Sequence, residues 1–272
     1  MIDLHSHLLP GCDDGAADLE MALAMARRAV DDGVRVMACT PHILPGLYTN
    51  DANGIDARVT SLRQALGEAD IDLTLVVGAD VHIAPDLPEK LRNGTVPTLN
   101  GSRYFLLEPP HQVLPPQLEN LVASLIGAGF VPILTHPERL AWTRSHYDVV
   151  NRVNGAGCLM QITAGSLTGS FGRMAQYLAE RMLDEGRVDV IASDAHNLRA
   201  RIPGLSKARE IVAARYGREV AEDLVIRRPM RILRDLPVTP AFDSSRATAF
   251  RITQPSGEAK PLSRLIEWIR NA

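Results

Sequence analysis

Short apolar runs alternate along the chain with longer segments whose apolar residues recur at helical spacing. The runs are "MIDLHSH", "VRVMACTPH", "LTLVVGAD", "RYFLLEPP", "VPILTHPE", "CLMQITAG" and "VDVIASDAH". Most are near-continuous in Val, Ile and Leu rather than alternating, the pattern of strands buried on both faces. Between them lie amphipathic stretches such as "ADLEMALAMARRAVDDG" and "PPQLENLVASLIGAGF". In the first, Asp18 stands where a helix cap is expected and Gly33 where the helix should stop; the second ends at Gly127 and Gly129. Strand then helix, repeated about seven times, predicts parallel β/α layers over residues 1–236 as one domain. Reactive residues close nearly every run instead of gathering at one crevice, which favours an α/β barrel over a doubly wound open sheet. After "RDLPV" the pattern breaks. Residues 237–272 are rich in Ser, Thr, Pro and Ala and read as an irregular tail ending in a short amphipathic helix, "RLIEWIRNA".

Composition narrows the picture. The 272 residues are 46% hydrophobic, enough for a sizeable core, and barrels run to about 250 residues as one domain. The formal net charge is -3 and no basic stripe stands out, so nucleic acid is a poor partner. Cys12, Cys39 and Cys158 are odd in number and widely spaced, which argues against a disulfide framework and for a reducing, cytoplasmic setting. The first residues lack the basic and apolar regions of a signal peptide, and no apolar run reaches the roughly 18 residues of a membrane span.

The chemistry lies where the runs end. His5 and His7 stand in the first, His42 closes the second, Asp80 the third, Glu108 the fourth, His136 the fifth, and Asp194 and His196 the last. In an α/β barrel those ends converge on one face. Imidazoles and carboxylates crowded into one volume are costly unless a counter-charge balances them. Divalent ions supply that balance, and His with carboxylate suits zinc, manganese or iron. Residues i and i+2 of a strand share a face, so His5 with His7, and Asp194 with His196, can each grip an ion from one side. His82 lies two after Asp80 and is either a pocket residue or an ordinary one. His111 and His146 fall in loops or helix starts and read as ordinary. Arg139 in "THPERL" and Arg201 after "SDAHN" are placed to fork onto phosphate oxygens.

With "DLHSH", "TPH", "THPER" and "ASDAHN" in that order, the chain resembles the polymerase and histidinol phosphatase (PHP) superfamily. Within it, "DDGA", "PTLNGSRYFLLEPP" and "QITAGSLTGSFG" make it similar to the bacterial manganese-dependent protein-tyrosine phosphatases of capsule and exopolysaccharide gene clusters, from Met1 to about Leu236. The resemblance implies a distorted seven-stranded TIM-like PHP barrel with three metal ions, manganese foremost, with iron or zinc as alternatives. By residue, it assigns His5, His7, Asp80 and Asp194 to the first ion and Asp80, Glu108 and His136 to the second. The third takes His42, His196 and one of the "DD" aspartates, Asp14 in preference to Asp13. Asp80 then bridges two ions at the catalytic centre, and Arg139 and Arg201 match the family's phosphate-binding arginines. One departure stands out: the bridging residue of the family is more often Glu, and Asp80 is one methylene shorter. The implied activity is hydrolysis of phosphotyrosine on a protein, a bacterial tyrosine kinase being the natural partner, with oligomeric state open. Cysteine chemistry is excluded: thiol-dependent tyrosine phosphatases place Arg six residues after the Cys, and here those positions hold Asp18, Pro45 and Ala164. The rival readings are a small-molecule phosphatase for sugar or amino-alcohol phosphates, a non-catalytic module that docks a kinase tail, and a proofreading nuclease.

Overall fold

The computed structural model of the protein describes residues 1–238. Residues 239–272, with the expected tail and its amphipathic helix, lie outside the described residues. Each apolar run contains strand: β1 (Ile2–Asp3), β2 (Val36–Cys39), β3 (His42–Leu44), β4 (Tyr48–Thr49), β5 (Thr74–Val77), β6 (Asp80–His82), β7 (Tyr104–Glu108), β8 (Val131–Thr135), β9 (Leu159–Thr163) and β10 (Val190–Ala192). Two expected runs are each broken in the middle. Thr40 and Pro41 separate β2 from β3, and Gly78 and Ala79 separate β5 from β6. Gly78 packs tightly there: a Cβ would lie 2.8 Å from a Leu99 methyl and 3.0 Å from the Thr40 methyl, so those side chains would have to move. β4 is an addition to the expected pattern, a short antiparallel partner of β3.

The pairing is otherwise parallel, in the order β1-β2-β5 and β10-β9-β8-β7-β6-β3. Because β2 runs on into β3 and β5 into β6, the two sheets form one wall of seven segments. The wall closes at its mouth. Ser6 bridges Ala195 in parallel, with His7 N–H donating to Ala195 O at 2.8 Å and Asp194 N–H to His5 O at 2.9 Å. Below that bridge the first and last strands part, and the Asp3 carboxylate fills the gap, accepting from Ser193 N at 3.0 Å and His5 N at 3.3 Å. This is the distortion expected of the barrel.

Helices α1 (Leu19–Asp31), α2 (Ala52–Glu68), α3 (Leu87–Arg92), α4 (Leu118–Gly127), α5 (Tyr147–Gly155), α6 (Ala164–Leu167), α7 (Gly172–Asp184) and α8 (Ser206–Tyr216) follow successive strands. Asp18 caps α1, accepting from Met21 N at 2.9 Å, and Asp51 caps α2 through Gly54 N at 2.8 Å; such caps satisfy N–H groups that the first helical turn leaves open. Gly33, at φ 92°, ends α1 as its sequence position suggests. A last helical run, residues 218–233, brings Ile232 and Leu233 onto the bottom of the barrel.

Two apolar clusters result. One lies between wall and helices; the other is the barrel interior, with Val36, Ala38, Val76, Tyr104, Leu106, Ile133, Leu159, Val190 and Ala192. Strand residues two apart share a face. The inward register therefore carries Ala38 on to His42, Val76 to Asp80, Leu106 to Glu108 and Ala192 to Asp194. The interior is apolar at the bottom and turns to imidazole and carboxylate at the mouth.

Candidate metal centre

His5 and His7 reach this mouth by a different route from the one their spacing suggests. β1 ends at Asp3, and the residues of this segment that enter the barrel interior are Ile2 and Leu4, so the two histidines sit on the opposite parity and beyond the strand. Their orientation comes from the seam bonds and from partners on the far ring nitrogens. His5 Nδ1 meets Gln161 Oε1 at 2.8 Å, and His7 Nδ1 meets Asp13 Oδ2 at 2.7 Å. Such contacts fix imidazole tautomer and direction and leave Nε2 to face the centre. The two Nε2 atoms lie 3.2 Å apart. Asp194 and His136 also leave the extended region, at φ 51° and 35°. Left-handed backbone at a non-glycine residue is costly, and strained residues cluster at functional sites, although Asp70, Asn100, Gln117 and Asp235 adopt it elsewhere in this chain.

Around those atoms the other residues converge. Asp80 Oδ2 lies 3.4 Å from His5 Nε2 and 3.3 Å from His42 Nδ1. Asp194 Oδ1 lies 3.3 Å from His5 and 3.4 Å from His7. Glu108 Oε2 faces His42 Nδ1 at 3.1 Å and His82 Nε2 at 2.5 Å, and its Oε1 faces His111 at 3.0 Å and His136 at 3.4 Å. Asp14 Oδ1 sits between His42 Nε2 at 3.4 Å and His196 Nε2 at 3.3 Å. Of the two adjacent aspartates, Asp14 faces the cluster. Asp13 turns away to orient His7, and also accepts from His42 N and Gly15 N, each at 2.9 Å. Gly15 has no alternative here: its Cβ would stand 2.2 Å from the His7 carbonyl oxygen.

The donor set fits divalent metal. Asp80 Oδ1 and Oδ2, His42 Nδ1, Asp194 Oδ1 and His196 Nε2 are all buried and make no hydrogen bond. Orphaned buried polar atoms are rare, and each costs free energy unless something pairs it. Among the described residues, ligand atoms gather within 4.8 Å of one another in each of four groups: His7, Asp14, His42 and His196; His5, His7 and Asp80; His42, His82 and Glu108; Glu108, His111 and His136. The protein's own charges already strain to balance. Burial opposes protonation of His5, yet Asp194 and Asp80 outweigh it and hold its pKa up at about 9. Burial and the neighbouring Glu108 push Asp80 up, but His5 and His42 bring it down to about 2. Burial wins at His136 and His196, whose pKa values fall to about 4 and which therefore stay neutral, the form that ligates metal.

His82 and His111 thus belong to this cluster, the second against the expectation of an ordinary loop residue. In "EPPH" His111 stands three residues beyond Glu108, and it is the turn made by the two prolines that brings it back onto that carboxylate. Glu138 is a further residue of this region, beyond the His136 that closes its apolar run. It is buried, and its Oε1 accepts from Thr163 N at 2.8 Å and Ser166 Oγ at 2.7 Å, tying the turn that carries His136 and Arg139 to the start of α6. His146 lies away from the cluster as the N-terminal flank of α5.

Both arginines converge on one oxygen. Asp194 Oδ2 accepts from Arg139 Nη1 and, at 2.6 Å, from Arg201 Nη2. Arg139 also lies over the Phe171 ring, 4.1 Å from its centroid. Arg201 is swung inward by a tight turn in which Asn197 Oδ1 accepts from Arg199 N and Ala200 N at 2.9 Å. The cysteines are remote from this chemistry in kind: all three are buried free thiols, and burial raises Cys12 to about 11 and Cys39 and Cys158 to about 12.

The family model for capsular polysaccharide synthesis proteins, CpsB/CapC, matches residues 1–234. The chain belongs to the CpsB/CapC family. Among curated relatives, this CpsB/CapC chain is 32% identical to the tyrosine-protein phosphatase YwqE of Bacillus subtilis over 81% of its own length and 87% of that protein. It is 30% identical to the tyrosine-protein phosphatase CpsB of Streptococcus pneumoniae over 86% of its length and 99% of that protein's. Among solved structures, one from the pair YwqE of B. subtilis and CpsB of S. pneumoniae, described as metal-dependent tyrosine phosphatases, superposes with a TM-score of 0.85 at 31% identity. That superposition covers 88% of this CpsB/CapC chain and 97% of the other. Among the described residues, no helix is long and apolar enough to cross a membrane.

Proposed function

We propose that this protein is a metal-dependent phosphatase that hydrolyses phosphotyrosine on proteins, carried by the domain of residues 1–236. The supporting observation is the set of orphaned buried ligand atoms at the barrel mouth, beside two arginines that share Asp194. Three ions, manganese foremost, are assigned to these side chains. His5, His7, Asp80 and Asp194 would hold the first; Asp80, Glu108 and His136 the second; His42, His196 and Asp14 the third. His82 and His111 add donors at Glu108, and His7 adds one to the third group. When bound, such ions lower the pKa of water toward neutrality and neutralise phosphoryl oxygens.

The chain's own groups do the remaining work. Arg139 and Arg201 present guanidinium N–H groups where charge grows on the phosphoryl oxygens, and interactions that strengthen in the transition state are the ones that raise the rate. Gln161 and Asp13 keep His5 and His7 in the ligating orientation. The leaving tyrosyl oxygen has a pKa of about 10, so it departs with little help from an acid. The partner in this reading is a phosphotyrosine-bearing protein of capsule or exopolysaccharide synthesis, a bacterial tyrosine kinase, met in the cytoplasm.

The test is metal-stripped protein reloaded with manganese, zinc or iron, with metal content measured alongside turnover of a phosphotyrosyl peptide and a panel of sugar and amino-alcohol phosphates. The expected result is no turnover after stripping, recovery with manganese, and the highest kcat/KM on the peptide. Undiminished turnover without metal, or preference for a small alkyl phosphate, overturns the reading.

A further inference from the structure

Beside the metal centre lies a pocket of about 380 Å³ that shares Arg139 and His111 with it. Its outer walls are of two kinds. Phe171, Met174 and Leu178, from the start and body of α7, form an apolar side, with Met174 47% exposed. Arg144, which is exposed, lines the same pocket as Arg139. The other cations at this mouth, Arg139 and Arg201, are held by Asp194. Glu138 is the pocket's acidic residue, and it is buried and committed to Thr163 and Ser166. The pocket therefore presents a cationic face whose outer member is not neutralised by the acid within it.

The walls are fixed before any ligand arrives. Ala141 N donates to His111 O at 2.9 Å and Trp142 Nε1 to Pro110 O at 3.0 Å, which ties the segment bearing Arg144 to the loop after β7. On the opposite side Phe171 is seated on Gly165, where a Cβ would come within 2.7 Å of its ring. A pocket built on pinned segments loses little order on binding.

We propose that this pocket is a subsite for an acidic residue adjacent to the phosphotyrosine of the protein substrate, its carboxylate paired with Arg144 and its methylenes laid on Phe171 and Met174. The inference rests on the phosphatase reading above. With the phosphoryl group at the centre, an extended peptide advances about 3.3–3.6 Å per residue, so a residue one or two positions away reaches a pocket that begins at Arg139 and His111. A guanidinium–carboxylate pair gives directional, charge-assisted bonds, and the apolar wall suits a side chain with a short aliphatic stem.

The test uses the full-length, metal-loaded protein and three phosphotyrosyl peptides that differ in carrying Glu, Ala or Lys beside the phosphotyrosine, with phenyl phosphate as a substrate too small to reach the pocket. Wild type should show the lowest KM for the Glu peptide. Arg144→Ala should raise that KM roughly tenfold, the scale of one lost charged hydrogen-bonded contact, with kcat and turnover of phenyl phosphate unchanged. Arg144→Glu should invert the order, so that the Lys peptide is preferred. Met174→Ser should raise KM for all three peptides without changing their order. Peptides cleaved by wild type with equal KM, or an order that Arg144→Glu leaves intact, overturn the subsite while leaving the phosphatase reading standing. Cleavage of phenyl phosphate but of none of the peptides by wild type overturns both.

Discussion

At the scale of single residues, the structure separates side chains that face the centre from those that aim them. Arg139 faces it. Replacing Arg139 by Ala should leave metal content intact, because Asp194 keeps Arg201 at 2.6 Å, while kcat on an aryl phosphate falls by about 10²–10³, the usual cost of one donor to a developing oxyanion. Metal analysis and steady-state kinetics on the same preparation decide it; unchanged kinetics would make Arg139 a spectator. The thiols give the opposite expectation. Burial disfavours the thiolate and raises the pKa values to about 11 or 12, so at pH 8 each cysteine is protonated as well as shielded. Iodoacetamide at that pH should label none of the three in the folded protein and leave activity whole, with labelling appearing only as pH climbs toward those values or as the chain unfolds; mass spectrometry reads the outcome. Much of this was legible from residue type and position. Asp80, Glu108 and Asp194 end apolar runs and continue the inward register, so they could be placed without coordinates. His111 could not, since its place depends on how the two prolines after Glu108 turn the chain. Nor could the positive φ of His136 and Asp194, which no neighbouring residue announces.

At the scale of elements, the loop after β1 carries the most chemistry per residue. In "GCDDGA" one aspartate faces the cluster, the next residue back orients His7, and Gly15 lets the loop lie against the His7 carbonyl. Ala16 N closes the contact, donating to His7 O at 3.0 Å. Gly15→Ala would drive a Cβ to 2.2 Å from a backbone oxygen, so the loop must shift. The expected cost is about 1–3 kcal/mol of stability, together with fewer bound ions, because Asp13 and Asp14 move with it. Urea unfolding and metal stoichiometry measure both, and a variant of wild-type stability and metal content would show that the loop yields freely. The strands were readable from their apolar runs, with two instructive exceptions. The i, i+2 spacing of His5 and His7 pointed to one strand face, yet the chain has left β1 by then, and hydrogen bonds to Ala195, Gln161 and Asp13 bring the rings together instead. β4 leaves no mark in the sequence pattern because two residues are too few to carry a period.

At the scale of the whole molecule, an interior that changes from apolar to ionisable along its axis makes stability depend on ligand. The orphaned atoms at the mouth favour the unfolded, hydrated chain until a cation pairs them. Anything bound only by the folded state stabilises it, by roughly 2.7 kcal/mol when present at a hundredfold excess over its Kd. Manganese should therefore raise the Tm of stripped protein, and the rise should be smaller in Asp80→Asn, which removes the charge from the carboxylate shared by His5 and His42. Equal shifts in the two proteins would mean that the stabilising cation sits elsewhere.

The seam of the barrel joins Asp3 to Ser193, residues separated by 190 positions. A ribosome releases His5 and His7 first and Asp194 and His196 only when most of the described chain has emerged. Throughout that interval the first strand has β2 for a neighbour on one side and nothing on the other, and its imidazoles have no opposing carboxylate from the last strand. Completion of the groups that need Asp194 or His196 is thus deferred by topology, whereas Glu108, His111 and His136 come together from the middle of the chain. The sites therefore mature in order along the chain, and those that borrow a ligand from the last strand are finished only when the seam closes.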